Sequence, residues 1–162
     1  MTKYLSLLAL VALFSSNAFA NKITDTDGGK ITKKVTLAHA QKALKLVTEK
    51  GDKSFDELSD EKGDWVTNDL YAFVIDYTGN VLAHVYLKGK NIMELKDKDG
   101  KAFVSEFVNI AKNGSGEGWS RYYWPRPGTK TPALKYAYIM KVPAKNYFVG
   151  VGTYDMTDSD MK

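Results

Sequence analysis

The sequence predicts an α+β fold, an antiparallel sheet with one helix before it and another inserted within it. Three observations carry this. Residues 31–50 place Leu37, Ala40, Leu44 and Val47 at three-four-three spacing, one face of a helix. Five runs rich in aromatic and β-branched residues are separated by Pro/Gly clusters, as strands are. Between the second and third runs, residues 101–112 return to helical spacing, with Phe103, Phe107 and Ile110 on one face. A helix interposed between strands of one antiparallel sheet is an α+β arrangement.

Taken in order, Val35 and Ala43 widen the apolar face of the first helix, and Gly51 is placed to end it. His39 falls within this helix and reads as an ordinary packed or flanking histidine. Ser54-Phe-Asp-Glu57 has the spacing of a capping box and predicts a short helix over 54–61. Gly63 and Asp64 break that helix. The first strand is expected over 70–76, the second over 80–87, with Tyr77-Thr-Gly79 as the hairpin between them. Tyr71, Phe73 and Ile75 alternate onto one face of the first strand, as core or as pocket wall. Asp99 is expected to cap the inserted helix. Gly114 to Gly118 is a link after that helix. A phosphate cradle would precede a helix instead. The last three strands lie between Trp119 and Tyr154.

Residues 1–20 read as a targeting segment. Lys3 supplies the positive start, 5–14 are apolar, and Ala18-Phe-Ala20 is a small-x-small cleavage site. The apolar run is shorter than the ~20 residues of a spanning helix, although a retained anchor is the alternative. Residues 21–30 read as a loose leader, and 31–162 as one domain. The sequence thus predicts export, with a bacterial periplasm as the best fit. The chain has no cysteine, which removes disulfides, thiol chemistry and a lipid-modified cysteine from consideration. Its 23 Lys+Arg and 19 Asp+Glu are interspersed, so no concentrated basic face for nucleic acid is visible.

Catalytic and metal patterns are not found. There is no Gly-x-Ser-x-Gly elbow, and His39 and His84 do not form a His-x-x-x-His pair. Asp97-Lys-Asp99-Gly100 opens like a calcium loop, but its twelfth position is Val108, not glutamate. No enzyme activity, cofactor or metal is therefore expected.

The informative polar residues lie in the last three strands. Tyr122 and Trp124 alternate onto one face, and Lys135 follows on the next strand after Pro127-Gly128. By themselves the aromatics read most simply as core. A lysine in an apolar strand either reaches solvent or meets an anion, because burying it unpaired is costly. Without a bulge His84 shares a face with Leu82. It is either a donor to a bound anion or a histidine satisfied by backbone.

The ordered set Tyr122-x-Trp124-Pro-x-Pro127-Gly128, Lys135-x-x-Tyr138 and Gly150-x-Gly152-x-Tyr154 resembles the single Cache domain family. So do Tyr71-Ala-Phe-Val-Ile-Asp76, Gly79-Asn-Val-Leu-Ala-His84, Gly89-Lys-Asn91 and Asp97-Lys-Asp-Gly100-Lys-Ala-Phe103 upstream. The resemblance covers the chain from about Val35 onward. One departure is that Ala133 and Leu134 separate Pro132 from Lys135, where the family often has the proline closer.

The resemblance implies a PAS-like five-stranded antiparallel sheet. The long helix would cross one face, and a ligand pocket would lie on the other, beneath the connection from 87 to 112. It implies recognition of a small organic acid. Lys135 would neutralise the carboxylate, Tyr122 and Tyr138 would donate hydrogen bonds, and Trp124 and Phe73 would pack on the aliphatic part. His84 is a further donor. Arg121, on the face opposite Tyr122, would enter the site only if its strand were bulged.

No spanning segment follows the domain in this sequence, so a signal is expected to pass to a separate receptor, sensor kinase or transporter. The competing reading is an accessory subunit that docks on a membrane partner, or forms a homodimer, through the long helix without a small ligand. A stripe of exposed apolar residues on that helix would favour it. The mature protein is expected to begin at Asn21, which mass spectrometry of a periplasmic extract checks. Residues 1–20 retained in a membrane fraction would show an anchor instead.

Overall fold

The structure is a computed structural model that describes residues 29–161. The targeting segment, and the leader up to residue 28, lie outside the described residues. The chain opens with α1 (Lys33–Lys50). Thr32 caps it, its Oγ1 accepting from the Val35 amide at 3.3 Å, so helix begins two residues later than predicted. Gly51 ends it with φ 56°, the conformation for which glycine is suited. The buried face carries Val35, Thr36, His39, Ala40, Ala43, Leu46 and Val47, while Leu37 and Leu44 lie at its flanks.

The predicted capping box does not form. A 3-10 turn (Gly51–Ser54) runs straight into α2 (Phe55–Ser59), so Ser54 has no free helix start to cap. Its Oγ donates to the Gly51 carbonyl at 2.6 Å. Glu57 instead accepts from Trp65 Nε1 and Lys50 Nζ, each at 2.8 Å. Asp99 does not cap α3 (Phe103–Lys112) either. The neighbouring Asp97 organises that turn. Its carboxylate accepts from the amides of Asp99 and Lys101 at 2.9 Å and, across to the sheet, from that of Tyr123 at 3.1 Å.

The sheet has six strands, not five: β1 (Val66–Thr67), β2 (Leu70–Asp76), β3 (Val81–Ala83), β4 (Glu117–Pro125), β5 (Pro132–Lys141) and β6 (Tyr147–Thr153). The extra strand is the two-residue β1, which pairs with the start of β2, while β3 pairs further along β2. The order is β1-β2-β6-β5-β4, antiparallel throughout. Strand β3 is shorter than predicted because the chain leaves the ladder at His84, whose amide donates to Ser59 Oγ at 3.2 Å.

Both sheet faces are covered, so β2 and β6 are buried along nearly their whole length. On one face α1 packs Ala40, Ala43 and Val47 against Leu70, Ala72, Val74, Val149 and Val151. On the other, α3 packs Phe103, Val104 and Phe107 against Phe73, Ile75, Tyr122, Ala137, Ile139 and Phe148. The α3 face depends on a gap in β6. A Cβ on Gly150 would lie 2.1 Å from the Phe73 ring, and one on Gly152 would lie 2.5 Å from Lys135 Cε. Glycine at these two positions gives room for side chains that cross β6.

Gly150→Ala is therefore expected to destabilise the fold by about 1–3 kcal/mol through overpacking. Adding Phe73→Leu should recover most of the loss, and urea denaturation of both variants measures it. An unchanged midpoint for Gly150→Ala would show that the ring does not need this gap.

Candidate functional site

The site is centred on Lys135. Antiparallel register sets Lys135 directly opposite Tyr122, and the β4–β5 ladder runs without a break from Glu117 to Pro125. Parity then decides every neighbour. Tyr122 and Trp124 share the α3 face with Lys135, Ala137 and Ile139, whereas Arg121, Tyr136 and Tyr138 point to the α1 side.

Lys135 is 1% exposed. Its Nζ donates to the Tyr71 hydroxyl at 2.7 Å and lies 3.9 Å from the Tyr71 ring centre, 5.3 Å from that of Tyr154 and 5.9 Å from that of Phe73. Among the described residues no carboxylate lies within ion-pair distance of Nζ. Burial lowers the lysine pKa to about 7, and Asp69 works against that shift. Asp69 is itself paired with Arg126, which also lies 3.8 Å from Asp155 and over the Tyr154 ring. The amino group therefore sits in an aromatic cage, hydrogen-bonded to a neutral phenol.

His84 closes one side of the cage. Its ring meets Tyr71 edge-on at 5.1 Å. Nδ1 accepts from the Tyr86 amide at 3.0 Å, which leaves the proton of the neutral ring on Nε2 as a donor. Burial first, and then the charge of Lys135, lower its pKa to about 3, so the ring is neutral at ordinary pH. His84 and Leu82 do not share a face. The β2–β3 register shifts at Val74/Ile75, and Leu82 packs on the α1 side.

Beside the cage is a cavity of about 20 Å³, lined by Phe73, Ile75, His84, Leu87, Ile92, Phe103, Phe107, Tyr122 and Trp124. Tyr122 stacks on Phe103 at 4.7 Å, and Trp124 meets Phe103 edge-on at 5.6 Å. The Lys135 amino group is not in the cavity wall. It lies behind it, among Tyr71, Phe73 and Tyr154. The cavity has the room that about one water needs, so an organic acid enters only if side chains move.

Five of the seven residues singled out from the sequence thus come together: Phe73, His84, Tyr122, Trp124 and Lys135. Tyr138 does not. Three positions separate it from Lys135 in an unbulged strand, so it faces away and packs at 5.0 Å on Trp119. Arg121 also lies outside, paired with Asp158 on an exposed edge. The reading from sequence left Tyr71 open as core or pocket wall and gave Tyr154 no part in the site, where it supplies an aromatic wall. The glycine pair Gly150 and Gly152, two apart in a buried strand, was the available signal that something crosses β6 there.

Comparison with known proteins bears on the family and the fold. Residues 20–160 match the family model described as Single Cache domain 2. The sensor histidine kinase MctS of Rhizobium johnstonii is 34% identical over 89 residues, 53% of this chain but 19% of the kinase. Among solved structures, a periplasmic sensor domain of a chemotaxis protein aligns with TM-score 0.60 at 24% identity, over 74% of this chain and 92% of that one. A methyl-accepting chemotaxis protein from Vibrio parahaemolyticus aligns with TM-score 0.59 at 22% identity, over 79% and 90% of the two chains. A Cache chemosensory domain described for carboxylic acid recognition aligns with TM-score 0.62 at 22% identity, over 75% and 91%. At these identities the structures speak for the fold, and the match of the family model over most of the chain speaks for kinship. The chain belongs to the single Cache domain family of sensory domains.

Proposed function

We propose that this domain binds a small organic acid in an enlarged form of the cavity beside Lys135, without converting it, and works with a separate membrane receptor, sensor kinase or transporter. The observation that supports this reading is a buried lysine whose one hydrogen-bond partner among the described residues, Tyr71, is neutral. A carboxylate is the group that such an amine lacks. Lys135, the Tyr71 hydroxyl and His84 Nε2 would hold the carboxylate. Phe73, Tyr122 and Trp124 would enclose the apolar remainder. A mostly apolar pocket with a few converging polar groups is the general form of a small-molecule site.

The match to a sensor kinase and the shared fold with chemotaxis domains support a sensory role. Among the described residues no helix is long and apolar enough to cross a membrane. The docking reading draws no support from α1, whose outward face carries Lys34, Gln41, Lys42, Lys45 and Glu49.

Calorimetric titration with acetate, propionate, lactate, pyruvate and succinate tests the proposal. Removing one partner of a buried charge pair costs about 2–5 kcal/mol, so Lys135→Met should weaken the acids that bind by roughly thirtyfold or more. Arg121→Met should leave them unchanged. No binding by the wild type, or loss in Arg121→Met with retention in Lys135→Met, would overturn the assignment.

Protonation adds a second test. The free-state pKa of Lys135 is about 7, and a carboxylate beside it would raise that value. Below pH 7 the lysine is charged before the acid arrives, and affinity should be flat. Above pH 7 it must first take up a proton, so affinity should fall by up to about tenfold per pH unit. His84 stays neutral across this range and contributes no slope. Lys135→Met should abolish the dependence. An affinity of wild type that is level from pH 6 to 9 would show that the charge of Lys135 is not used.

A further inference from the structure

A second, larger cavity of about 250 Å³ lies outside the first, lined by His84, Tyr86, Leu87, Trp124, Pro125, Arg126, Pro127, Gly128 and Thr129. Three residues line both: His84, Leu87 and Trp124. They are the partition between the two spaces. Of the nine residues around the inner cavity, seven are buried, and the two that are partly exposed, Leu87 and Trp124, both belong to this partition. The remaining wall is closed by α3, the sheet and Ile92 of the connection between β3 and α3. Leu87 and Trp124 are therefore the most exposed part of the inner wall.

Its two sides are held differently. Trp124 is paired with Ala133 in the β4–β5 ladder and packed on Phe103, and the strand beyond it is tied down through Arg126 to Asp69 and through the Tyr154 hydroxyl, which donates to the Pro125 carbonyl at 2.7 Å. Leu87 sits on a turn. That turn is tied by the Lys90 amide to the Leu87 carbonyl at 3.0 Å, by the Gly89 amide to the Val81 carbonyl at 2.8 Å, and by an ion pair from Lys88 to the exposed Asp56. Leu87 lies outside the strand ladder at the edge of the α3-side core, whereas Trp124 is held within a strand.

We propose that the outer cavity is the receiving site for the acid and that Leu87 is the gate through which it passes to Lys135, closing against Trp124. This rests on the acid-binding reading above. A small carboxylate first occupies the outer space, beside His84 and Arg126. It then displaces Leu87, and the inner cavity opens to admit its apolar end. Leu87 would thus control the rate of exchange and contribute little to the affinity.

The test is exchange kinetics with propionate, followed by stopped-flow tryptophan fluorescence and by NMR of 13C-labelled propionate. Leu87→Ala should raise kon and koff together on the order of tenfold, the low end of the span found among variants of one site, and leave Kd within about twofold. Leu87→Trp should slow both by a similar factor. Both changes are on a partly exposed turn, and a circular dichroism melt confirms folding. If Leu87→Ala alters koff while kon stays at the wild-type value, Leu87 is an ordinary wall residue and the gate is wrong, while the acid site stands. If propionate and the other acids fail to bind the wild type, the acid site falls and the gate with it.

Discussion

The structure turns on burying one amino group. An isolated ammonium is not tolerated in an apolar interior, so it must lose its proton or find a partner. In the free protein Lys135 stays buried with its pKa lowered to about 7, hydrogen-bonded to Tyr71 and walled by Phe73 and Tyr154. Several features follow from keeping it there. Gly152 leaves space for the lysine stem, and Gly150 leaves space for the ring of Phe73 next to it. Arg126 takes up Asp69, the acid whose field acts on Lys135. His84 sits beside the cage as a neutral ring.

The two faces of the sheet divide the work. The α1 face is packed mainly with aliphatic side chains from α1, β2 and β6, and among the rings at its margin Trp65 is fixed by Glu57 while Phe55 meets Tyr147 edge-on. The α3 face is aromatic, and it encloses the small inner cavity. Aromatic rings set edge-on and stacked, as Phe103, Phe107, Tyr122 and Trp124 are, leave gaps that aliphatic chains would fill. The connection from β3 to α3 has little regular structure of its own and is held by short polar ties such as those of Asp97. An outer cover of that kind can shift without disturbing the sheet beneath it.

Much of the architecture was legible in the sequence because it rests on local periodicity. Helical spacing located α1 and α3, and alternation located β2 with both ends as predicted. Where local signals failed, a longer-range contact had overridden them. Ser54 has the spacing of a cap but meets a chain already turning, and Glu57 is taken by Trp65. β3 stops short because His84 bonds to Ser59, 25 positions earlier. β1 is too short to produce a period at all.

The sequence by itself determined the α+β order, the family to which the chain belongs, and which residues of one strand share a face. The order and the shared faces follow from spacing along the chain and the family from its ordered motifs. Alternation put Tyr122 and Trp124 on one face, and the resemblance joined Lys135 to them from the next strand. Tertiary structure alone decided what the lysine meets. Its partner Tyr71 is 64 positions away, Tyr154 comes from beyond β6, and the space between them exists because two glycines of β6 lie opposite. Tyr138 shows the same limit. The motif that holds it beside Lys135 in sequence sends it to the other face, because a strand alternates at every residue and three steps reverse the side.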